Sequence, residues 1–137
     1  MANSVSYLLQ TIRVQLIDDA TLFALVDDRV RTAHVAENEG AAPGMPLVIV
    51  APLGGSSPYS GALQSVSLEI YAYSKVSEGE ALRVYEEVHR ILQASRAALT
   101  GLTLRGMLRE TTRPRHGYND LLLAYYVRST WSAITAG

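Results

Sequence analysis

The residues able to do chemistry are few. Three histidines are present, His34, His89 and His116, and there is no cysteine. A metal site needs ligands converging at about 2 Å, commonly from positions three or four apart on a helix. Glu86 and His89 have that spacing on a predicted helix. A Glu-x-x-His pair serves di-iron bundles only when a second pair and two more glutamates accompany it, and none do. The carboxylate pairs Asp18-Asp19 and Asp27-Asp28 have the chemistry of a hard-cation site. They bracket a short apolar run, however, where acids act as helix punctuation. Gly54-Gly55-Ser56-Ser57 has the texture of a phosphate loop but lacks its lysine, its spacing and a following helix. No G-x-S-x-G elbow occurs. One local cluster is basic: Arg105, Arg109, Arg113, Arg115 and His116. If residues 102–112 are a strand, Arg105 and Arg109 share a face and, with Arg113, make a stripe suited to an anion, a nucleic acid or an acidic partner. The competing reading is a solvated strand face balanced by Glu110 and Asp120.

Composition bounds the rest. A chain of 137 residues fits one domain, and 48% hydrophobic residues supply a core without disulfide or metal. A formal net charge of -1 argues against a general nucleic-acid binder and against an acidic disordered tail. Lys75 is the one lysine among 12 basic residues, and arginine suits protein interfaces. The eight tyrosines, with an apolar ring and a polar tip, suit interfaces and half-buried sheet faces alike. No signal-peptide pattern opens the chain, and no apolar run approaches the roughly 20 residues that span a bilayer. A soluble protein, made inside the cell and without membrane contact, is expected.

The elements that position these residues follow from periodicity. Helical spacing predicts helices over 4–17 and, capped by Asp19, over 20–26. A weak strand over 29–35 leads into a breaker-rich loop, 36–45. A firm strand over 46–51 is expected to stop at Pro52. The glycines and serines of 53–62 then read as a flexible tip, including Tyr59. A strand over 63–74 alternates Leu68, Ile70 and Ala72 against Glu69, Tyr71 and Tyr73. Ser77-x-x-Glu80 reads as a capping box opening a helix over 78–98, with Arg90 and Arg96 toward its negative end. Strands over 102–112 and 120–133, joined by a turn at 113–119, complete an α+β domain spanning 1–137. Its antiparallel or mixed sheet carries the N-terminal helix and one long amphipathic helix on one face. Val84, Val88, Ile91 and Leu92 should meet Leu68, Ile70 and the last strand.

In this order the segments resemble the tail-completion, or tail-terminator, proteins of long-tailed bacteriophages. The resemblance runs through Leu16-Ile17-Asp18-Asp19, Leu22-Phe23-Ala24-Leu25-Val26, Asp28-Arg29-Val30 and Pro46-Leu47-Val48-Ile49-Val50. It continues through Leu68-Glu69-Ile70-Tyr71-Ala72-Tyr73-Ser74, the helix over 81–92, Gly101, the strand over 104–112 and the closing strand. It implies a non-enzymatic virion protein of the tail neck, without cofactor or metal. Such proteins assemble as a ring, expected to be a homohexamer, on the head-proximal end of the tail tube. They end tube polymerisation and join the tail to the head connector or stopper protein. DNA would pass through the lumen without specific binding. Interface residues are then expected among Arg105, Arg109, Arg113, Arg115, His116 and Tyr59, with the loops 36–45 and 53–62 ordering on assembly. Two other readings stay open. One is a small-ligand or enzymatic α+β module with a polar corner near His116. The other is a nucleic-acid contact protein using the arginine stripe, whose binding would weaken steeply with salt.

Overall fold

The computed structural model describes residues 4–32, 44–59, 63–94 and 109–136. Three helices and a six-stranded mixed sheet make an α+β fold. The first helix, α1, is Ser4–Ile17 and the second, α2, is Ala20–Val26, both with the expected bounds. Asp19 caps α2: its carboxylate accepts the amides of Thr21 and Leu22, each at 3.0 Å. Asp27 ends α2 at φ 57 and ψ -130, a positive-φ conformation outside the left-handed helical well, and its amide donates to the Phe23 carbonyl at 2.7 Å.

The strands are β1 Val30–Arg31, β2 Leu47–Tyr59, β3 Leu63–Ser74, β4 Arg109–Glu110, β5 Arg115–Asn119 and β6 Ala124–Ala136. Across the sheet the order is β1-β2-β3-β6, with β4 and β5 both on the outer side of β6. The β1–β2 pair is parallel, and all the others are antiparallel.

Three expectations are corrected. The strand that begins near Pro46 does not stop at Pro52, and 53–59 is not a loop tip. Pro52 sits at a register shift, where a missing N–H is tolerated, and the chain continues paired to β3 as far as Tyr59. A firm β3 supplies ladder partners that carry weak strand formers along. Residues 115–119 are likewise strand, not turn, and the turn is 120–123 instead. Asn119 Oδ1 accepts the Leu122 amide at 2.9 Å, closing an Asx-type turn through what reads as a strand start. Ser77 accepts the Glu80 amide at 3.0 Å, but the Glu80 carboxylate does not return to Ser77. It accepts the Ser74 hydroxyl at 2.6 Å, and Ser74 Oγ takes the Val76 and Ser77 amides. Expectations for 33–43, 60–62, 95–108 and Arg96 lie outside the described residues.

The long helix, α3, is Glu78–Ala94. Its Val84, Val88, Ile91 and Leu92 are buried in one cluster with Leu68, Ile70, Val127 and Trp131, as the spacing requires. The cluster also takes Leu8, Ile12 and Leu16 of α1 and Leu22 of α2, so all three helices lie on one face. Arg90 does not serve the helix end. It reaches α2, where Nη2 lies 3.0 Å from both Asp19 oxygens, while Nε donates to Glu87 at 2.9 Å. No helix among the described residues is long and apolar enough to cross a membrane.

Candidate functional site: the tyrosine face and its basic edge

The sheet has a second face, away from the helices, and strand alternation decides what stands there. Register pairs Leu47, Ile49 and Ala51 of β2 with Tyr73, Tyr71 and Glu69 of β3. Those in turn oppose Tyr126, Arg128 and Thr130 of β6. Arg115, Gly117 and Asn119 of β5 lie beyond, opposite Arg128, Tyr126 and Ala124. Three successive rows across β3, β6 and, where it pairs, β5 are therefore Glu69–Thr130, Tyr71–Arg128–Arg115 and Tyr73–Tyr126–Gly117.

The tyrosines pack on one another. Tyr71 and Tyr73 stack at 5.5 Å between centroids, and Tyr126 meets them at 5.8 and 5.9 Å with tilted rings. A second apolar cluster, with Leu47, Ile49, Ala51, Leu122 and Ala124, continues under these rings. Burial pushes the Tyr73 and Tyr71 phenols above the ordinary tyrosine range, and for Tyr71 the Glu69 carboxylate adds to it. Both are neutral hydroxyls at any physiological pH.

Glu69 joins the aromatic patch to the basic edge. One oxygen accepts the Tyr71 hydroxyl at 2.9 Å and the other accepts Arg128 Nη1 at 3.1 Å. Arg115 lies across from Arg128, a like-charge opposition that costs stability unless something neutralises it. Glu69 neutralises Arg128, which leaves Arg115 as the cation in excess. Next to it the edge is interrupted. Residues 111–114 stand opposite only Ser129 and Thr130, because the ladder register shifts between β4 and β5. Thr111 donates its amide to the Thr130 carbonyl at 2.7 Å, and Thr112 Oγ1 accepts the Thr130 amide at 3.0 Å. The bulge opens a cleft of about 240 Å³ lined by Glu69, Thr112, Arg115, Arg128, Ser129 and Thr130. Guanidinium and hydroxyl donors dominate it, so the arrangement suits a carboxylate or similar anion on a partner. Among the described residues no group of three His, Asp or Glu side chains is placed to hold a metal.

The sequence cluster is not one stripe. Arg113 is exposed in the bulge, and Arg115 is on the tyrosine face. His116 is on the helix face, where Nδ1 lies 2.7 Å from Glu78 Oε1 in the first turn of α3. Arg109 belongs to β4 and pairs with Ser132 in the ladder. Tyr59 is at the far end of β2, opposite Leu63. Arg105 lies outside the described residues. Sequence reasoning placed Glu69, Tyr71 and Tyr73 on one face but did not join them to Arg128. It also missed a buried polar knot on the helix side. There Tyr85 donates to Glu110 and shares a hydrogen bond with Ser129, and Trp131 Nε1 donates to Ser129 Oγ at 2.9 Å and to Tyr85 at 3.3 Å. Burial, and then Glu110, pushes the Tyr85 phenol upward. A tyrosine and a serine at core-facing positions were the available signal.

No family model and no curated protein sequence matches this chain. Among solved structures it is similar to a chain described as "Virion of native gene transfer agent (GTA) particle". The superposition has a TM-score of 0.71 at 20% sequence identity and covers 99% of this chain and 100% of that one. The two share a fold.

Proposed function

We propose that this chain is a structural subunit of a phage-like virion, at the head-proximal end of the tail. It forms a ring there, expected to be a homohexamer, that ends tube polymerisation and meets the head connector, with no catalysis of its own. The observation that carries the reading is the end-to-end likeness of fold to a chain of a gene transfer agent particle. The element order that resembles tail-completion proteins supports the finer assignment. The tyrosine face agrees with a role in contacts, since tyrosine and arginine are the residues interfaces favour.

In this reading the bulge at 111–114 and Arg115 face a subunit, tube or connector surface that supplies a carboxylate. Replacing Arg113 and Arg115 with Glu changes two exposed side chains, so the monomer should fold as before. Tail tubes mixed with wild-type protein and viewed by electron microscopy should carry a cap at one end. The Arg113→Glu, Arg115→Glu protein should cap few of them, and in a phage background should leave unjoined heads and tails of irregular length. Uncapped tubes with the wild-type protein would sink the ring reading. Normal capping by the double variant would make the basic edge ordinary solvated surface.

A further inference from the structure

The large exposed apolar side chains among the described residues fall into two groups. Val76, Tyr118, Leu121, Leu123 and Tyr125 gather where β3 passes toward α3 and β5 turns into β6, an end fixed by the Ser74–Tyr125 register. Val14, Phe23 and Leu53 sit on α1, α2 and β2; α1 packs on β1 and β2, and α2 on α1 and α3. The first group is thus at the β5–β6 side of the sheet, and the second is carried by the β1–β2 side and the helix layer above it.

The first group is a built feature. Leu122 is buried in the second apolar cluster and anchors the turn, while Asn119 closes it by accepting the Leu122 amide. The flanking leucines are left outside, Leu121 at 82% and Leu123 at 63% exposure. Leu123 holds φ 53, a left-handed backbone that an apolar L residue disfavours and glycine or asparagine would accept freely. Strain retained at an exposed leucine is a mark of use. Tyr118 and Tyr125 flank the turn, with rings edge to face at 5.1 Å. Together these side chains expose on the order of 500 Å², toward the upper end of what a soluble monomer carries in one patch.

We infer that the β5–β6 turn is an apolar plug that docks on a second copy of this chain, against the α1–α2 side that carries Val14 and Phe23. The inference rests on the ring reading and names its contact. A two-fold pairing through the plug would cover one group and leave the other in water. Head-to-tail association covers both, and two unlike patches are what a closed ring requires. Charge offers one match: Lys75 is exposed beside Val76 at the plug end, while Asp120 is exposed within the turn itself. Asp27 and Asp28 are exposed at the end of α2, where Arg29 and Arg31 are turned onto the Pro46 and Asp28 carbonyls.

Two variants test this. Leu121→Asp with Leu123→Asn removes the plug and relieves the left-handed position. Phe23→Asp spoils the receiving side. All three side chains are exposed, and cooperative circular dichroism melts at or above the wild-type temperature show that the fold is kept. Leu121→Ser alone, which leaves position 123 untouched, should act in the same direction as the double plug variant. Self-association is read by sedimentation velocity and native mass spectrometry from the micromolar to the millimolar range. The wild type should form a closed oligomer, and each variant should associate on the order of a hundredfold more weakly. An equal mixture of the two variants should give a heterodimer and nothing larger, because one good plug then meets one good receiver and growth stops. Variants that assemble like the wild type, or a mixture that stays monomeric, overturn the inference and leave the ring reading standing. A wild type monomeric throughout also overturns it, while the tube-capping experiment decides the ring reading separately.

Discussion

Gly117 stands directly across the β5–β6 ladder from Tyr126. A Cβ built on it would lie 2.3 Å from Tyr126 Cζ and Oη and 2.8 Å from Cε2, far inside contact distance. The Gly117 backbone is outside the left-handed region, so the glycine makes room for a ring rather than for a turn. Gly117→Ala must therefore push the Tyr126 ring off the face. That ring touches Tyr71 at 5.8 Å and Tyr73 at 5.9 Å. Aromatic pairs contribute about 0.5–1.5 kcal/mol each, so displacing it forfeits about 1–3 kcal/mol. Alanine recovers about 0.5–1 kcal/mol of the backbone freedom that glycine loses on folding. The net expectation is a loss of about 1–2 kcal/mol, or roughly 3–6 °C in Tm for a chain of this size. Urea unfolding of the wild type, Gly117→Ala, Tyr126→Ala and the double variant closes a cycle. On the Tyr126→Ala background the obstacle is gone, and Gly117→Ala should be neutral or stabilising by up to about 1 kcal/mol. An equal cost on both backgrounds would refute the claim that the ring is what requires glycine.

Val88 is fully buried between α3 and the sheet, so Val88→Asp should cost several kcal/mol and abolish cooperative unfolding by urea at ordinary temperature. Tyr85→Phe removes the hydroxyl shared by Glu110, Ser129 and Trp131, and urea unfolding should show a loss of about 1–3 kcal/mol, which Ser129→Ala should deepen because it takes the remaining acceptor from the buried Trp131 Nε1. Burial opposes the charge on Asp19, but the Leu22 amide, Arg90 and the Thr21 amide outweigh it and hold its pKa below the ordinary value of 3.8. Its contribution is thus complete above pH 3.8 and lost as pH falls through the lower folded value. Acid unfolding of Asp19→Asn, which keeps a capping oxygen but cannot titrate, should lack that component of the wild-type profile.

Most of the fold was legible because the long elements obey one period each. The apolar faces of residues 4–17, 63–74 and 78–94 need no knowledge of their partners, and all three occur at the expected places. What failed was local punctuation overruled by pairing. Pro52, Gly54 and Gly55 read as a stop, yet β3 offers a complete ladder and a register shift absorbs the proline. Leu121-Leu122-Leu123 reads as strand, yet Asn119 takes the Leu122 amide and bends the chain there. Nothing in the local pattern of 115–119 announces a strand. Its glycine looks like a turn residue until Tyr126 is seen across from it.

The same alternation redraws the candidate site. A basic cluster in sequence becomes a surface stripe only if its members share a face, and β5 sends Arg115 and His116 to opposite faces. His116 then meets the acidic first turn of α3, where it ties the edge strand to the helix layer. Arg115 joins Arg128 and Glu69, which are distant in sequence but adjacent in register. With Arg128 already held by Glu69, the local excess is one guanidinium beside threonine hydroxyls and three packed tyrosines. A duplex is held by many phosphate contacts acting together, and one free cation on an aromatic face is a poor substitute. It is a good match for a single carboxylate at the rim of an apolar contact, where a charged hydrogen bond fixes register while the rings supply the area. The described face therefore fits a protein partner better than a nucleic acid, and its tyrosines matter to that fit as much as its arginines.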